Sequence, residues 1–350
     1  MKPHPLDYYV GLRRYFTNLK PPCKGKVLRP IGFRVIERLE RAPGSQDLYL
    51  LYKRNVDTIH AIKILEKVLG GKWKYAGLKD KEAQTVQFVS SDVSVNAFVW
   101  SKGNKEIILK RVGIGNVKKK YLVGNLFIID LGFECEIEDY AKRVKGLWNV
   151  PGIYGYQRFG SRRPISHVVG KFIIKEEWEK AVDVLLGEPF PWESEASREI
   201  RLKYYKEGFR AFLNAPRYMD IESHIAKKIM EGESIGKILK DLRVFKLMLQ
   251  AFQSYVYNKA LTLHENPCDG PTRLPGPGAI EYETILEEEG IGLNDLGKKG
   301  LKAWPRKPCE VTHVEAFAYK NVMRLVFMLP KGYYATAVLR EVIKGEPWGL

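Results

Sequence analysis

Apolar residues recur at three- and four-residue intervals between Val56 and Leu69, through Ile59, Ile62, Leu65 and Leu69. That spacing predicts one amphipathic helix, with Asn55 or Asp57 able to cap its start and Gly70-Gly71 to stop it. Around it, short apolar runs predict strands at Phe33–Glu37, Tyr49–Tyr52, Lys72–Ala76, Thr85–Ser90, Ile107–Val112 and Leu126–Leu131. Pro3, Pro5, Pro21, Pro22 and Pro30 make the first 30 residues an arm rather than a regular element. From Glu176 to Leu263 the helical spacing returns, through Trp178, Val182 and Leu185 and again through Leu247, Ala251 and Tyr255. A Pro/Gly-rich loop follows at Pro267–Gly278, and a second boundary falls at Trp304–Pro308. The end returns to a strand at Arg324–Leu329, a turn at Lys331-Gly332 and a last strand or helix through Leu339.

Strands and helices in mixed order predict an α+β fold with a mixed or antiparallel sheet and helices against it. At roughly 150 residues per domain, 350 residues make about two domains. The pattern places a sheet domain at both chain ends with a helical insertion in the middle, and Pro151-Gly152 is the first punctuation between larger units.

Charge adds a partner. Fifty-eight Lys+Arg against 41 Asp+Glu leave a net charge of +17, and a phosphate polymer is the partner that such an excess fits, with a Lys-rich surface serving solubility as the plainer reading. Nineteen Tyr, 15 Phe and 7 Trp supply stacking faces for unpaired bases. No apolar stretch reaches the ~20 residues of a membrane span, and Met1-Lys2-Pro3-His4-Pro5 has no signal-like apolar region. A cytoplasmic protein without a membrane partner is expected, and a monomer, since nothing suggests a symmetric apolar patch. Cys23, Cys135, Cys268 and Cys309 lie far apart without a C-x-x-C pair, which argues against both a disulfide framework and a zinc knuckle.

No phosphate-binding glycine loop, dinucleotide fingerprint, H-E-x-x-H or nucleophile elbow is present. Redox, ATP-driven and zinc-dependent chemistry are disfavoured, and no cofactor is expected. The most distinctive segment is Tyr75–Gln87, where a strand-like run ends in Gly77 and Asp80 follows between Lys79 and Lys81. Neighbouring cations favour an ionised carboxylate, available as nucleophile or base. A solvated charged turn is the plainer reading of the same tripeptide.

The segment Ala76-Gly77-Leu78-Lys79-Asp80-Lys81-Glu82-Ala83-Gln84-Thr85-Val86-Gln87 resembles the A-G-x-K-D-[KR]-x-A-x-T-x-Q signature of the TruD family of tRNA pseudouridine synthases. Further stretches agree in order: Lys53–Thr58, Gly124-Asn125-Leu126-Phe127-Ile128-Ile129, Tyr154–Gly160, Arg163, His167–Lys171, Leu249–Asn258, Leu274-Pro275-Gly276 and Leu329–Glu341. The likeness spans residues 4 to 344, and His4-Pro5-Leu6-Asp7 is similar to archaeal-type members. The chain departs from the family pattern in two places, before Phe33 and at Asp47. Ile31-Gly32 replaces the Glu-Asp pair before Phe33, and Val27 replaces the family's basic residue, with Lys26 or Arg29 as possible substitutes; Asp47 stands where a His is common.

The resemblance implies a pseudouridine-synthase-type catalytic domain in residues 1–158 and 309–350 with a mainly helical α+β TruD-type insertion at 159–308, acting on a uridine of tRNA without cofactor. It makes Asp80 the catalytic carboxylate. Phe127 would stack on the flipped uracil, and Asn125 would hydrogen-bond near it or hold the Asp80 loop. Lys79, Arg158, Arg163 and Arg340 join them as substrate-binding candidates, with Arg340 a candidate partner of Asp80; a structural salt bridge with Glu341 or another surface acid is its plainer role. Arg158, Arg162, Arg163, Lys171 and Lys118–Lys120 are expected to line an RNA cleft. A non-catalytic RNA-binding or chaperone protein on the same fold would share the charge and aromatics without needing Asp80, and a methyltransferase is disfavoured by the missing glycine-rich loop.

Overall fold

The computed structural model describes residues 2–160 and 162–345. Met1, Ser161 and residues 346–350, which fall in the three segments expected from the sequence, lie outside the described residues. The chain divides into two units: Thr17–Val150 with the stretch from Glu310 onward, and Lys2–Phe16 with Pro151–Cys309. Lys2–Phe16 thus groups with the helical unit rather than with the sheet.

The first unit is built on an 11-stranded sheet: β1 (Gly25–Val27), β2 (Phe33–Leu39), β3 (Asp47–Arg54), β4 (Trp73–Tyr75), β5 (Gln84–Ser91), β6 (Ala97–Lys102), β7 (Lys105–Ile114), β8 (Leu122–Phe133), β9 (Gly146–Pro151), β10 (Cys309–Tyr319) and β11 (Val322–Pro330). Their order is β6-β7-β3-β5-β2-β8-β11-β10-β9, with β1 added beside β8 and β4 beside β5. β2 and β5 run parallel, while β8 is antiparallel to both β2 and β11. Each strand predicted from the sequence is present. β1, β6, β9 and β10 are additional.

The sheet buries one face through alternation along its strands. In β3 the buried positions are Tyr49, Leu51 and Lys53; in β8 they include Phe127, Ile129, Leu131 and Phe133. The predicted helix spans Thr58–Leu69, and Asp57 caps it by accepting from the His60 N–H at 2.8 Å. Gly70 and Gly71, at φ +77° and +67°, end it in a conformation that favours glycine. Its Ala61, Ile62 and Leu65 pack on Tyr49, Leu51, Val89, Ile107 and Leu109. The final segment resolves as a helix, Ala335–Ile343, and Tyr140 of the Glu138–Val144 helix donates its hydroxyl to the Val342 carbonyl at 2.5 Å.

The second unit is mainly helical, as the spacing predicts, with Phe245–Leu261 its longest helix. The Ser166–Ile174 helix packs against that helix so closely that a Cβ on Gly170 would stand 2.1 Å from the Met248 carbonyl oxygen. Gln253 and Asn258 on the long helix are buried clamps. The Asn258 amide group donates to the Val10 and Tyr154 carbonyls, and its oxygen accepts from the Tyr154 N–H. Gln253 donates to the carbonyls of Pro275 and Lys302.

The cysteine expectation is overturned: Cys23 bonds Cys135 and Cys268 bonds Cys309. The reason is long-range register. β1 pairs with β8 so that Gly25 faces Phe133, and the same antiparallel register, carried on by the Glu134 N–H to the Lys24 carbonyl, sets Cys23 beside Cys135 across 112 residues of sequence.

Candidate active site

All elements of this site belong to the sheet unit. Across its buried face, cross-strand partners form a row: Lys53 on β3, Thr85 on β5, Val35 on β2, Phe127 on β8 and Phe327 on β11. Two residues along the strands, Glu37 faces Asn125, which faces Leu329, and Leu51 faces Gln87. Residues two apart share a face, so polar and aromatic groups distant in sequence come together. Gly124 is required beside them, because a Cβ there would meet the Leu329 carbonyl oxygen at 2.2 Å.

Over this face runs the loop from Ala76 to Ala83, and almost every hold on it comes from a buried side chain. Thr58, the first residue of its helix, accepts from the Lys79 N–H at 2.9 Å and donates to the Gln87 side-chain oxygen at 2.9 Å. Gln87 in turn donates to the Gly77 carbonyl at 3.3 Å. The Lys79 ammonium turns inward to Glu37 at 2.6 Å. Lys53 donates to the carbonyls of Val56, Lys79 and Asp80 at 2.7, 3.2 and 2.8 Å. Arg29 donates to the Glu82 carbonyl at 2.9 Å. Asp80, whose own carbonyl is pinned in this way, is itself exposed.

Electrostatics follow the same layout. Burial lowers the Lys53 ammonium to about 8, and the carboxylates of Asp80 and Asp57 oppose that fall. Arg29 is also lowered by burial, against the opposing pull of Asp80 and Glu82, so both cations lie in the field of Asp80. The Arg29 guanidinium covers the Phe33 ring at 4.0 Å; Phe33 stands edge-on to Phe127, and Phe127 is stacked on Phe327 with centroids 5.4 Å apart. Two buried oxygens on this face, Thr85 Oγ1 and Asn125 Oδ1, have no hydrogen-bond partner. A buried orphan acceptor of this kind is what a polar ligand satisfies.

A sequence model of the tRNA pseudouridine synthase D (TruD) family matches residues 10–266. The chain belongs to the TruD family of tRNA pseudouridine synthases. It is 32% identical to a protein of Sulfurisphaera tokodaii named probable tRNA pseudouridine synthase D, over 97% of this chain and 99% of the relative. A Saccharolobus solfataricus protein of the same name is 30% identical, with 99% of each covered. The fold matches the crystal structure of a Methanosarcina mazei protein assigned as TruD, with a TM-score of 0.76, 24% identity and full coverage of both chains.

Within this TruD chain, the structure brings together Asp80, Lys79, Asn125 and Phe127. Lys79 does so from inside: its side chain is 6% exposed and is held by Glu37, so it supports the loop rather than offering a free ammonium to RNA. Arg340 is buried and ion-paired with Glu341 at 2.9 Å, and Glu341 also accepts from the N–H and hydroxyl of Thr17. Arg158 and Arg163 belong to the other unit. Arg158 donates to Ser254 and Gln250. Arg163 is spent on the carbonyls of Val184, Leu185 and Glu188, and burial lowers it to about 10. Lys118, Lys119 and Lys120 are exposed; Lys118 caps the 3-10 segment Lys119–Tyr121, which leads into β8. Lys171 pairs with Glu289 at 2.8 Å.

Sequence reasoning missed Glu37, Phe327 and the loop-holding roles of Lys53 and Thr58. Lys53 and Thr58 lay inside a stretch already noted for its likeness to the family, so a signal existed. Glu37 and Phe327 had none, since strand register alone brings them to the site. Among the described residues, no cluster of His, Cys, Asp and Glu is able to hold a metal ion, and no helix is long and apolar enough to cross a membrane.

Proposed function

We propose that this chain isomerises a specific uridine of tRNA to pseudouridine, with Asp80 as the carboxylate at the reacting nucleotide. The names of its relatives supply the substrate class. The observation that carries the assignment of Asp80 is the loop itself: three buried side chains (Lys53, Thr58 and Gln87) hold its backbone, the buried Glu37 holds its Lys79 side chain, and Asp80 stays exposed. In the reaction the C1′–N1 bond breaks, the base turns, and C1′ bonds to C5; the C5 proton leaves and N1 gains one. The atoms balance without oxidant or energy source, which agrees with an expectation of no cofactor.

The uridine must leave its stack to reach a loop on a sheet face, at a cost of a few kcal/mol. The aromatic group Phe33, Phe127 and Phe327 offers a stacking edge, and the unpartnered Asn125 Oδ1 offers an acceptor to the uracil imide N–H. Asp80 then acts on the ribose carbon, on the ring, or as the base that assists glycal formation. The excess of cations accounts for binding to the phosphate backbone. A cytoplasmic monomer fits this reading.

Nucleoside analysis of unmodified tRNA after incubation with the protein alone tests the proposal. Pseudouridine is expected with the wild type and absent with Asp80→Asn. RNA binding without pseudouridine in either sample would favour the non-catalytic RNA-binding reading.

A further inference from the structure

Lys53 presents an unusual arrangement. It sits in mid-strand with no exposed surface, on the buried face of a sheet, where a lysine is costly unless its charge is used. An ammonium has three N–H donors, and here each has its own carbonyl acceptor: Val56 at the entry to the Thr58–Leu69 helix, then Lys79 and Asp80 in the loop. A buried lysine that served only to cancel a charge would be placed against an acid, as Lys79 is against Glu37.

We propose that Lys53 is a positioning residue of the reaction: its ammonium fixes the Asp80 main chain from below, so that the Asp80 carboxylate is aimed before RNA arrives. This rests on the reading of Asp80 given above. The Asp80 carbonyl is pinned at 2.8 Å and the preceding carbonyl at 3.2 Å, so the peptide planes on both sides of the Asp80 Cα are restrained from the sheet side. The three bonds require the protonated amine, because a neutral amine has two donors and leaves one buried carbonyl without a partner. The charged groups facing Lys53 are Asp80 and Lys79 from the loop and Asp57 from the helix entry. Burial lowers Lys53 to about 8, close enough to neutrality for the tripod to open within an accessible pH range.

The test uses full-length wild type, Lys53→Met, Lys53→Arg and Asp80→Asn on unmodified tRNA, with melting curves and filter-binding affinities for each. Lys53→Met is expected to melt cooperatively and to bind tRNA within about twofold of wild type, while kcat falls on the order of 100-fold, the scale of a ~1 Å misplacement. A kcat within about threefold of wild type overturns the inference, as does a loss confined to KM. A second readout is independent of whether Lys53→Met folds. The wild-type kcat is expected to fall above pH ~8, and Lys53→Arg, which keeps its charge, is expected to move that fall to higher pH. An unshifted alkaline limb overturns the inference. Wild type without synthase activity would remove the reading of Asp80 and this inference with it, whereas an equally active Lys53→Met removes this inference alone.

Discussion

Lys79 and Glu37 form an ion pair at 2.6 Å inside the sheet unit, with side-chain exposures of 6% and 0%. Glu37 also accepts from the Phe88 N–H at 3.2 Å, so one carboxylate joins the Asp80 loop to β5. Breaking such a pair leaves a buried charge without a partner, which costs about 3–5 kcal/mol, whereas replacing both members with apolar groups is often nearly neutral. Glu37→Leu and Lys79→Met are each expected to lower stability by that amount in urea denaturation. The double variant is expected to recover most of it. Additive losses would show that the two residues act separately.

The disulfides predict sensitivity to reductant. Cys23–Cys135 closes 112 residues and Cys268–Cys309 closes 41. Loop-closure entropy for such lengths corresponds to about 4–5 kcal/mol per bridge. Melting under reductant is expected to fall by many degrees, and Cys23→Ser should remove one part of the effect and leave the other. An equal melting temperature with and without reductant would mean the bridges contribute nothing to the native state.

His167 predicts an acid limb of stability. It is buried, stacked on Tyr255 at 4.9 Å, and burial lowers it to about 4. Glu289 acts to raise it and Lys171 to lower it. The unfolded chain, with a histidine near ~6.5, binds the proton more readily than the folded one. The stabilisation is complete above that value and is lost as pH falls through about 4. A shift of that size corresponds to roughly 3 kcal/mol. Equilibrium unfolding from pH ~7 down to ~4 is expected to show this slope in wild type and a shallower one in His167→Gln.

Gly124 tests the spacing of the site. A Cβ at this position would stand 2.2 Å from the Leu329 carbonyl oxygen, so Gly124→Ala must push β8 and β11 apart beside Asn125. A loss of about 1–3 kcal/mol is expected, with a larger proportional loss of synthase rate than of tRNA affinity. An unchanged rate would show that this spacing is not needed.

Much of this architecture was legible because alternation and capping are local. The Thr58–Leu69 helix carried its Asp57 cap and its Gly70-Gly71 stop in the sequence, and β3, β5 and β8 carried the alternation of a half-buried sheet. β10 was not legible: only Cys309 and Val314 are buried along it, and exposed Val311, Phe317 and Tyr319 break the signal. The cysteine pairs were hidden because they depend on register and on chain returns of 41 and 112 residues. At the site, Asp80, Asn125 and Phe127 were visible through their motifs. The inward turn of Lys79 and the tripod of Lys53 were not, since a lysine in a sequence reads as surface until its register is known.

The central claim is that Asp80 is the group at the reacting uridine. Carbodiimide mapping of unmodified tRNA after incubation with wild type or Asp80→Asn, without added cofactor, tests it most directly. The account predicts a reverse-transcriptase stop at a single uridine with wild type, and none with a folded Asp80→Asn that still binds tRNA. The same stop with both proteins would contradict it and return the search to the other carboxylates.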